Sequence, residues 1–336
     1  MNESAAIPVN LYPRSKRVAV LRRLSFVAAM LSLVAFGLVF PFPLHSRRWG
    51  AIFDLAHAPA FCILMLMITG VLDPPAIGLS RRFLTILKMS MAGVALLAVV
   101  LAGIGLTGEF LQKFANRNPS WHDVAANTLG LAAAVCWIAA QHRRGVLRAS
   151  LIAAAFALLI GVSVDPLLEI HELELLRRDM PLLASFERPR ELHGWYLRSA
   201  DMLRTSDWAT DGTHSLRVTL RPGRYPGAAF ISPEPNWRGY ETLKLDLRNP
   251  GQQPLPLIVK VHDQEHEDSN FDHSDRFHRE IVVPAGEDLT VSIALSDIES
   301  APAARTMNME NVSFIEVFSL GVEDEQVFFI DNLRLQ

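Results

Sequence analysis

Cysteine is scarce in this chain: there are two in 336 residues, Cys62 and Cys136. Both fall inside apolar runs, where a thiol behaves as a small buried hydrophobe rather than half of a disulfide, so no disulfide framework organises the fold. A dominant charge is lacking too. The formal net charge is −3, which excludes the strongly basic balance of a nucleic-acid binder, and no nucleic-acid partner is expected. No nucleophile elbow, zinc-protease signature or Walker loop is recognisable, which weakens an enzymatic reading without removing it. What is abundant is hydrophobicity: half of the residues are apolar and the mean hydropathy is +0.21. That value is high for a soluble protein and low for a transporter.

The average conceals two unlike halves. Residues 1–165 carry 15 Lys and Arg against 6 Asp and Glu, a net of +9, whereas residues 166–336 carry 17 against 29, a net of −12. The long apolar runs all lie in the first half. Five of them approach the roughly 20 residues that a helix needs to cross a hydrocarbon core: Leu24–Phe42, Ala51–Val71, Phe83–Leu106, Val124–Ala140 and Ala149–Val164. The first follows Arg22 and Arg23 but is too long for a cleaved signal and ends at Pro41 and Pro43, so it reads as a retained anchor. Residues 1–23 form a basic tail, 24–145 a four-helix unit and 146–165 a fifth helix.

Loop charges set the orientation. With the N-terminus inside, the inner side collects Arg14, Lys16, Arg17, Arg22, Arg23, Arg81, Arg82, Lys88, Arg143, Arg144 and Arg148, and the outer side only Arg47, Arg48, Lys113 and Arg117. The expected topology is a multi-pass protein of a bacterial cytoplasmic membrane, with its C-terminal half periplasmic or extracellular.

Polar residues inside apolar spans are costly and read first as functional. Asp54 and His57 are three apart and share a helix face. Glu109 and Gln112 lie where the third span emerges, and Asp123 and Asn127 open the fourth, with Gly130 one turn on. All are at the outer ends, within reach of Arg47, Arg48, Arg117 and His122. As a set they suit a lipid or phosphate head-group. Each also has a structural reading: Ser120-x-x-Asp123 is a capping-box pattern, Gln112 and Asn127 can bond helices together, Gly130 can allow close packing, and Asp54 and Glu109 can pair with arginines.

At these positions the chain resembles the VanZ-like family of small bacterial membrane proteins. The likeness is carried by Asp54-x-x-His57, Glu109-x-x-Gln112, Arg117, Asp123-x-x-x-Asn127 and Gly130, over roughly residues 20–145. The resemblance implies action at the cell surface, since the family is named for a role in resistance to the glycopeptide teicoplanin. It supplies no biochemical activity, and the fifth span and exported half depart from it.

Residues 166–185 read as a juxtamembrane linker with a short interfacial helix. Beyond them, alternating runs (SLRVTL, LKLDL, LIVKV, EIVV, LTVSIAL, SFIEVF, VFFIDNLRL) are separated by turns such as Asp211-Gly212 and Asn249-Pro250-Gly251. About eight strands predict an all-β jelly-roll sandwich over 186–336. The expected whole is therefore a membrane α-helical unit plus that sandwich.

Phe186-Glu187, Asp211-Gly212-x-x-Ser215-Leu216, Trp237-x-Gly239-Tyr240 and the closing Ile330-Asp331-Asn332-x-x-Leu335 resemble a galactose-binding-like sandwich, the fold of many carbohydrate-binding modules. That resemblance implies a structural calcium bridging the first and last strands, for which Glu187 and Asp331 are the candidates; hard oxygen ligands suit the ion. No other cofactor is expected. A glycan site needs aromatic rings and polar groups to fix hydroxyls. Tyr225, Trp237, Tyr240, Phe271 and Phe277 are available, with Trp237 and Tyr240 better placed to pack. The loop HDQEHEDSNFDHSDRFHRE reads as a solvated acidic connection, since its His spacings match no zinc signature. If it edges a groove, Asp263, Asp275 and Arg276 join Tyr225 and Phe277 as candidate glycan contacts.

Three functions remain open: a binder of lipid-linked or polysaccharide envelope ligands, a membrane enzyme using His57 with Glu109 or Asp54 as acid and base, and a structural or assembly factor.

Overall fold

The computed structural model describes residues 18, 21, 25–30, 32, 47–79, 88–112, 120–231, 234–269 and 272–336. The chain divides into two compact units, one of residues 1–44 with 49–168, the other of 45–48 with 169–336.

The first unit is helical, built from α1 (Arg47–Leu72) beyond its first two residues, α2 (Met91–Leu111), α3 (Trp121–Gln141) and the part of α4 (Gly145–Arg178) up to residue 168. All four are long and apolar enough to cross a membrane. Within the expected first span, residues 25–30 and 32 are helical and the others lie outside the described residues. Ser90 sets the start of α2 by accepting from Gly93 N at 3.2 Å, and Ser120 starts α3 by accepting from Asp123 N at 3.2 Å. The third span accordingly begins at Met91 rather than Phe83; Lys88–Ser90 are not helical, and 83–87 lie outside the described residues.

Phe61, Leu64, Met65 and Ile68 of α1 pack on Val94 and Leu101 of α2 and on Leu131, Ala134 and Ile138 of α3. Gly130 is the tightest point: a Cβ there would lie 2.1 Å from the Ala58 carbonyl oxygen. Leu96, Val99 and Val100 of α2 and Phe156 and Ile160 of α4 remain exposed, an apolar surface suited to lipid.

The expected linker is corrected: residues 165–178 continue α4 as one helix of 34 residues despite Pro166. Leu173 and Leu176, three apart, are buried on one face, so the clusters that looked like a broken segment are an amphipathic stripe.

The second unit is a β-sandwich of eleven strands. One sheet runs β3 (Ala200–Thr205), β4 (Ser215–Leu220), β11 (Gln326–Leu335), β6 (Thr242–Arg248), β9 (Asp288–Ala294), with β1 (Leu182–Ala184) also on β11. The other runs β2 (Trp195–Arg198), β5 (Gly227–Ile231), β10 (Val312–Phe318), β7 (Leu255–Asp263), β8 (Phe277–Val283). Every neighbouring pair is antiparallel. Period-two alternation turns Leu216, Val218, Leu243, Leu245, Ile293, Phe328 and Ile330 of one sheet toward Phe230, Leu257, Val259, Val261, Ile315 and Val317 of the other, around buried Trp237 and Phe186. The seven alternating runs named above are β4 and β6 to β11. The strands not anticipated are β1, β2, β3 and β5. Two short helices, α5 (Gln264–Asp268) and α6 (Leu295–Glu299), lie in connections.

Candidate functional site

Three helices carry the polar residues to one end of the helical unit: His57 from α1, Glu109 and Gln112 at the close of α2, Asp123 and Asn127 at the opening of α3. Glu109, Gln112 and Asn127 are 1–2% exposed and Asp123 6%. His57 Nδ1 lies 3.0 Å from Asn127 Oδ1. Gln112 Nε2 donates to Glu109 Oε1 at 3.0 Å, and the Ser120 amide reaches Glu109 Oε2 at 3.4 Å. His57 Nε2 faces Asp123 Oδ2 at 3.8 Å. One donor atom from each of His57, Glu109 and Asp123 lies within 4.8 Å of the other two. Such a set can exchange protons or hold a cation.

Ser120 caps α3 and Gly130 packs against Ala58, but the capping box expected of Asp123 is not closed: the Ser120 amide donates to Glu109 instead. Asp54, expected to act with His57, is half-buried and engaged in contacts of its own; His57 meets Asn127 and Asp123 of α3. Arg117 lies outside the described residues. Arg47 pairs with Glu169 at 2.5 Å within the second unit, and His122 stands 3.9 Å from Asp123 Oδ1.

In the sandwich, the face of the five-stranded sheet turned away from the core is unusually polar. Register places Tyr196, Ala229, Glu316, Lys260 and His278 in one row across β2, β5, β10, β7 and β8. The next row is Arg198, Gly227, Phe318, Ile258 and Glu280. Lys260 Nζ bonds Glu316 Oε2 at 3.1 Å and lies 5.3 Å from the centre of the Phe314 ring. Arg198 approaches Glu316 Oε1 at 3.8 Å. Burial lowers the Lys260 pKa against the opposing pull of Glu316. Arg276 faces the charges of Glu316, Tyr225 and Arg198, and its buried Nε makes no hydrogen bond. Tyr196 and Tyr225 are both exposed. Tyr225, whose ring centre lies 6.3 Å from that of Phe318, and Arg276 therefore lie beside this face.

The other glycan candidates do not. Phe277 is buried in the core, where it pairs with Val261. Asp263 is fully buried, accepting from the His266 and Asn308 amides and from Arg305, which also grips Asp275. Burial pushes the Asp263 carboxyl up, but Arg305 and the two amides outweigh it and hold it below its ordinary value. Phe271 lies outside the described residues. The loop is exposed at Glu265, Ser269 and Asp272–Ser274, as a solvated connection would be, but His262 and His266 at its start are buried, their rings tilted with centres 4.6 Å apart, and His262 lies flat on Phe314 at 4.8 Å. Arg198, Lys260, Glu316 and Arg305 were missed. The signal for Lys260 and Glu316 was a single charge at an outward position in each of LIVKV and SFIEVF.

Glu187 and Asp331 hold a loop. Glu187 accepts from the Thr213 and His214 amides at 2.7 Å, and Asp331 Oδ2 from the Thr210 and Asp211 amides at 2.6 and 2.9 Å. Partial burial raises the Glu187 carboxyl, but these N–H groups prevail and bring it to about 2; burial raises Asp331 above its ordinary value. Both carboxylates thus hold residues 210–214 through hydrogen bonds to their backbone amides.

No family model matches the chain. A β-agarase B from Vibrio sp. (strain JT0107) is 27% identical over 104 residues, 30% of this chain and 11% of the agarase, so the match spans only a small part of that relative. Similar solved structures cover 46% of this chain. One is an exo-β-agarase (16% identity, 24% of that chain, TM-score 0.39). A family 11 carbohydrate-binding module from Clostridium thermocellum, in complex with a β-1,3-1,4-mixed-linked tetrasaccharide, has 14% identity (93% of that chain, TM-score 0.36). The CBM22-1 xylan-binding domain of Paenibacillus barcinonensis Xyn10C has 16% identity (93% of that chain, TM-score 0.33).

Proposed function

We propose that this chain is a membrane-held glycan-binding protein, without catalytic activity of its own, that engages a polysaccharide or lipid-linked sugar of the cell envelope. The single observation carrying this is the outer face of the five-stranded sheet. There Tyr196 and Tyr225 offer ring faces beside Arg198, Lys260 and Glu316, fixed on strands, and Arg276, which immediately precedes β8. Rings that stack on a sugar and fixed groups that bond its hydroxyls are the two requirements of such a site. The 27% likeness to part of a β-agarase is in keeping with a polysaccharide ligand. The four apolar helices support retention in a bilayer, and the eleven-to-four loop-charge bias supports the sandwich lying outside the cytoplasm. The polar end of the helical unit, with its VanZ-like residue pattern, is read as a site for an anionic head-group.

The test uses the full-length protein in detergent, run through gels cast with a broad panel of neutral and acidic polysaccharides. One of them should retard it. Tyr225→Ala and Arg276→Ala should each weaken that retention about tenfold, equivalent to about 1.4 kcal/mol. No retention by any member of the panel, with the sandwich folded, overturns the glycan reading.

A further inference from the structure

We propose that His57, Glu109 and Asp123 hold a divalent transition-metal ion of the zinc or manganese class at the polar end of the helical unit. The proposal stands on the donor set and its burial. An imidazole nitrogen and two carboxylate oxygens from three different helices already lie within 4.8 Å of one another. In a three-helix core this apolar, such a grouping is not a solvated charge cluster.

The second observation is independent of that grouping. Asp123 is 6% exposed, and its Oδ1 is buried and accepts no hydrogen bond. His122 Nδ1 stands 3.9 Å from it, beyond hydrogen-bond reach. A buried carboxylate oxygen without a donor is costly. A metal ion satisfies it directly.

The surroundings prepare the ligands as metal sites do. An amide oxygen only accepts, so Asn127 Oδ1 at 3.0 Å places the imidazole proton on His57 Nδ1. Nε2 then keeps its lone pair and points toward Asp123 Oδ2 at 3.8 Å. Binding of the second imidazole nitrogen by an outer partner is the usual device for fixing a ligating tautomer. Glu109 is steadied likewise by Gln112 and the Ser120 amide. An imidazole in the set disfavours magnesium and calcium, which take oxygen ligands, and favours zinc, while the two carboxylates keep manganese within the class. Three protein donors leave a coordination position open. That position would receive a phosphate oxygen, a consequence that rests on the head-group reading above; the ion itself requires only the helical unit.

The test uses full-length protein without a polyhistidine tag, in detergent, stripped with EDTA and titrated with Zn²⁺ and with Mn²⁺ by calorimetry. One equivalent of one of these should bind saturably. Asp123→Asn and His57→Gln should each remove that equivalent, and Asn127→Ala should weaken it ten- to a hundredfold. Where a variant fails to fold, Co²⁺ added to the wild type supplies a second readout: a visible absorption band displaced by stoichiometric Zn²⁺ supports the site. No saturable binding by folded wild type, or an equivalent that survives in both Asp123→Asn and His57→Gln and so belongs to the sandwich histidines, overturns the proposal. Adding inorganic phosphate separates the two readings. Tighter metal binding with phosphate supports a metal-mediated head-group contact; metal binding indifferent to phosphate overturns that contact and leaves the ion standing.

Discussion

At the scale of residues, the sandwich concentrates its unusual chemistry around β7. Lys260, His262 and Asp263 are successive or near-successive positions on one strand, and all three are buried. Asp263 is answered by Arg305, an arrangement whose loss would strand a buried charge. The histidines are held differently. Burial lowers the His262 pKa, with Glu267 and Glu316 opposing and Lys260 assisting. Burial also lowers His266, assisted by His262, Lys260 and Arg276 and opposed by Asp275. Unfolded, each imidazole takes a proton near its ordinary 6.5; folded, each stays neutral to lower pH. Below about 6.5 the unfolded chain therefore binds more protons, and stability falls as pH drops toward the folded values. The carboxylates act later: Glu187, folded at about 2 against an ordinary 4.5, loses its contribution only as pH falls through and below 4.5. Pulse proteolysis of the sandwich in urea should show its midpoint declining first between pH 6.5 and 5. The double variant His262→Gln, His266→Gln should flatten that decline and keep the one below 4.5. An unchanged profile in the double variant would sink this account.

At the scale of elements, Gly130 fixes how closely α1 and α3 approach. A methyl group added there meets backbone, the Ala58 carbonyl, which cannot rotate away as a side chain could. Gly130→Ala should destabilise the helical unit by about 1–3 kcal/mol, the usual range for overpacking, seen as a lower thermal midpoint in detergent. The sandwich should melt unchanged. A midpoint equal to wild type would mean the helices pack more loosely than this contact implies. Elements were legible in the sequence to the extent that their periodicity was strong. The strands with clean alternation, β4 and β6 to β11, could all be read, because one buried face imposes period two. By contrast β1 has three residues, β5 is Gly-Ala-Ala-Phe-Ile with little side chain to alternate, β2 buries only Trp195 and β3 buries no residue fully. The helix through 165–178 was hidden because Pro166 suggests a break that an established helix tolerates. For the sites, residue types could be read but not partners. His57 was paired with Asp54 by helical spacing, whereas it meets Asn127 and Asp123, which are 70 and 66 residues away. Phe277 and Asp263 were taken for surface groups because burial at a strand end leaves no mark on composition.

At the scale of the whole molecule, the modest hydropathy and small net charge are a cancellation between a +9 helical half and a −12 half that folds as a sandwich. The scarcity of cysteine acquires a sharper meaning here. The 166–336 half contains none, so an oxidising compartment would not staple it with a disulfide of its own, and its stability rests on the core between two sheets. The charge asymmetry supports a definite orientation, since Lys and Arg in short loops resist translocation while acidic residues contribute little. With the N-terminus inside, the expected five crossings carry Gln336 outside the cytoplasm. A reporter joined after Gln336 that is active only in an exported compartment should therefore be active, and one joined after Arg143, in the basic connection between α3 and α4, should be silent. Exchanging Arg143, Arg144 and Arg148 for Gln or Ser should weaken this bias and raise the signal at position 143. A C-terminal reporter active only in the cytoplasm would reverse the orientation. It would also remove the envelope glycan from reach of the sandwich, whatever affinity the isolated binding experiment had measured.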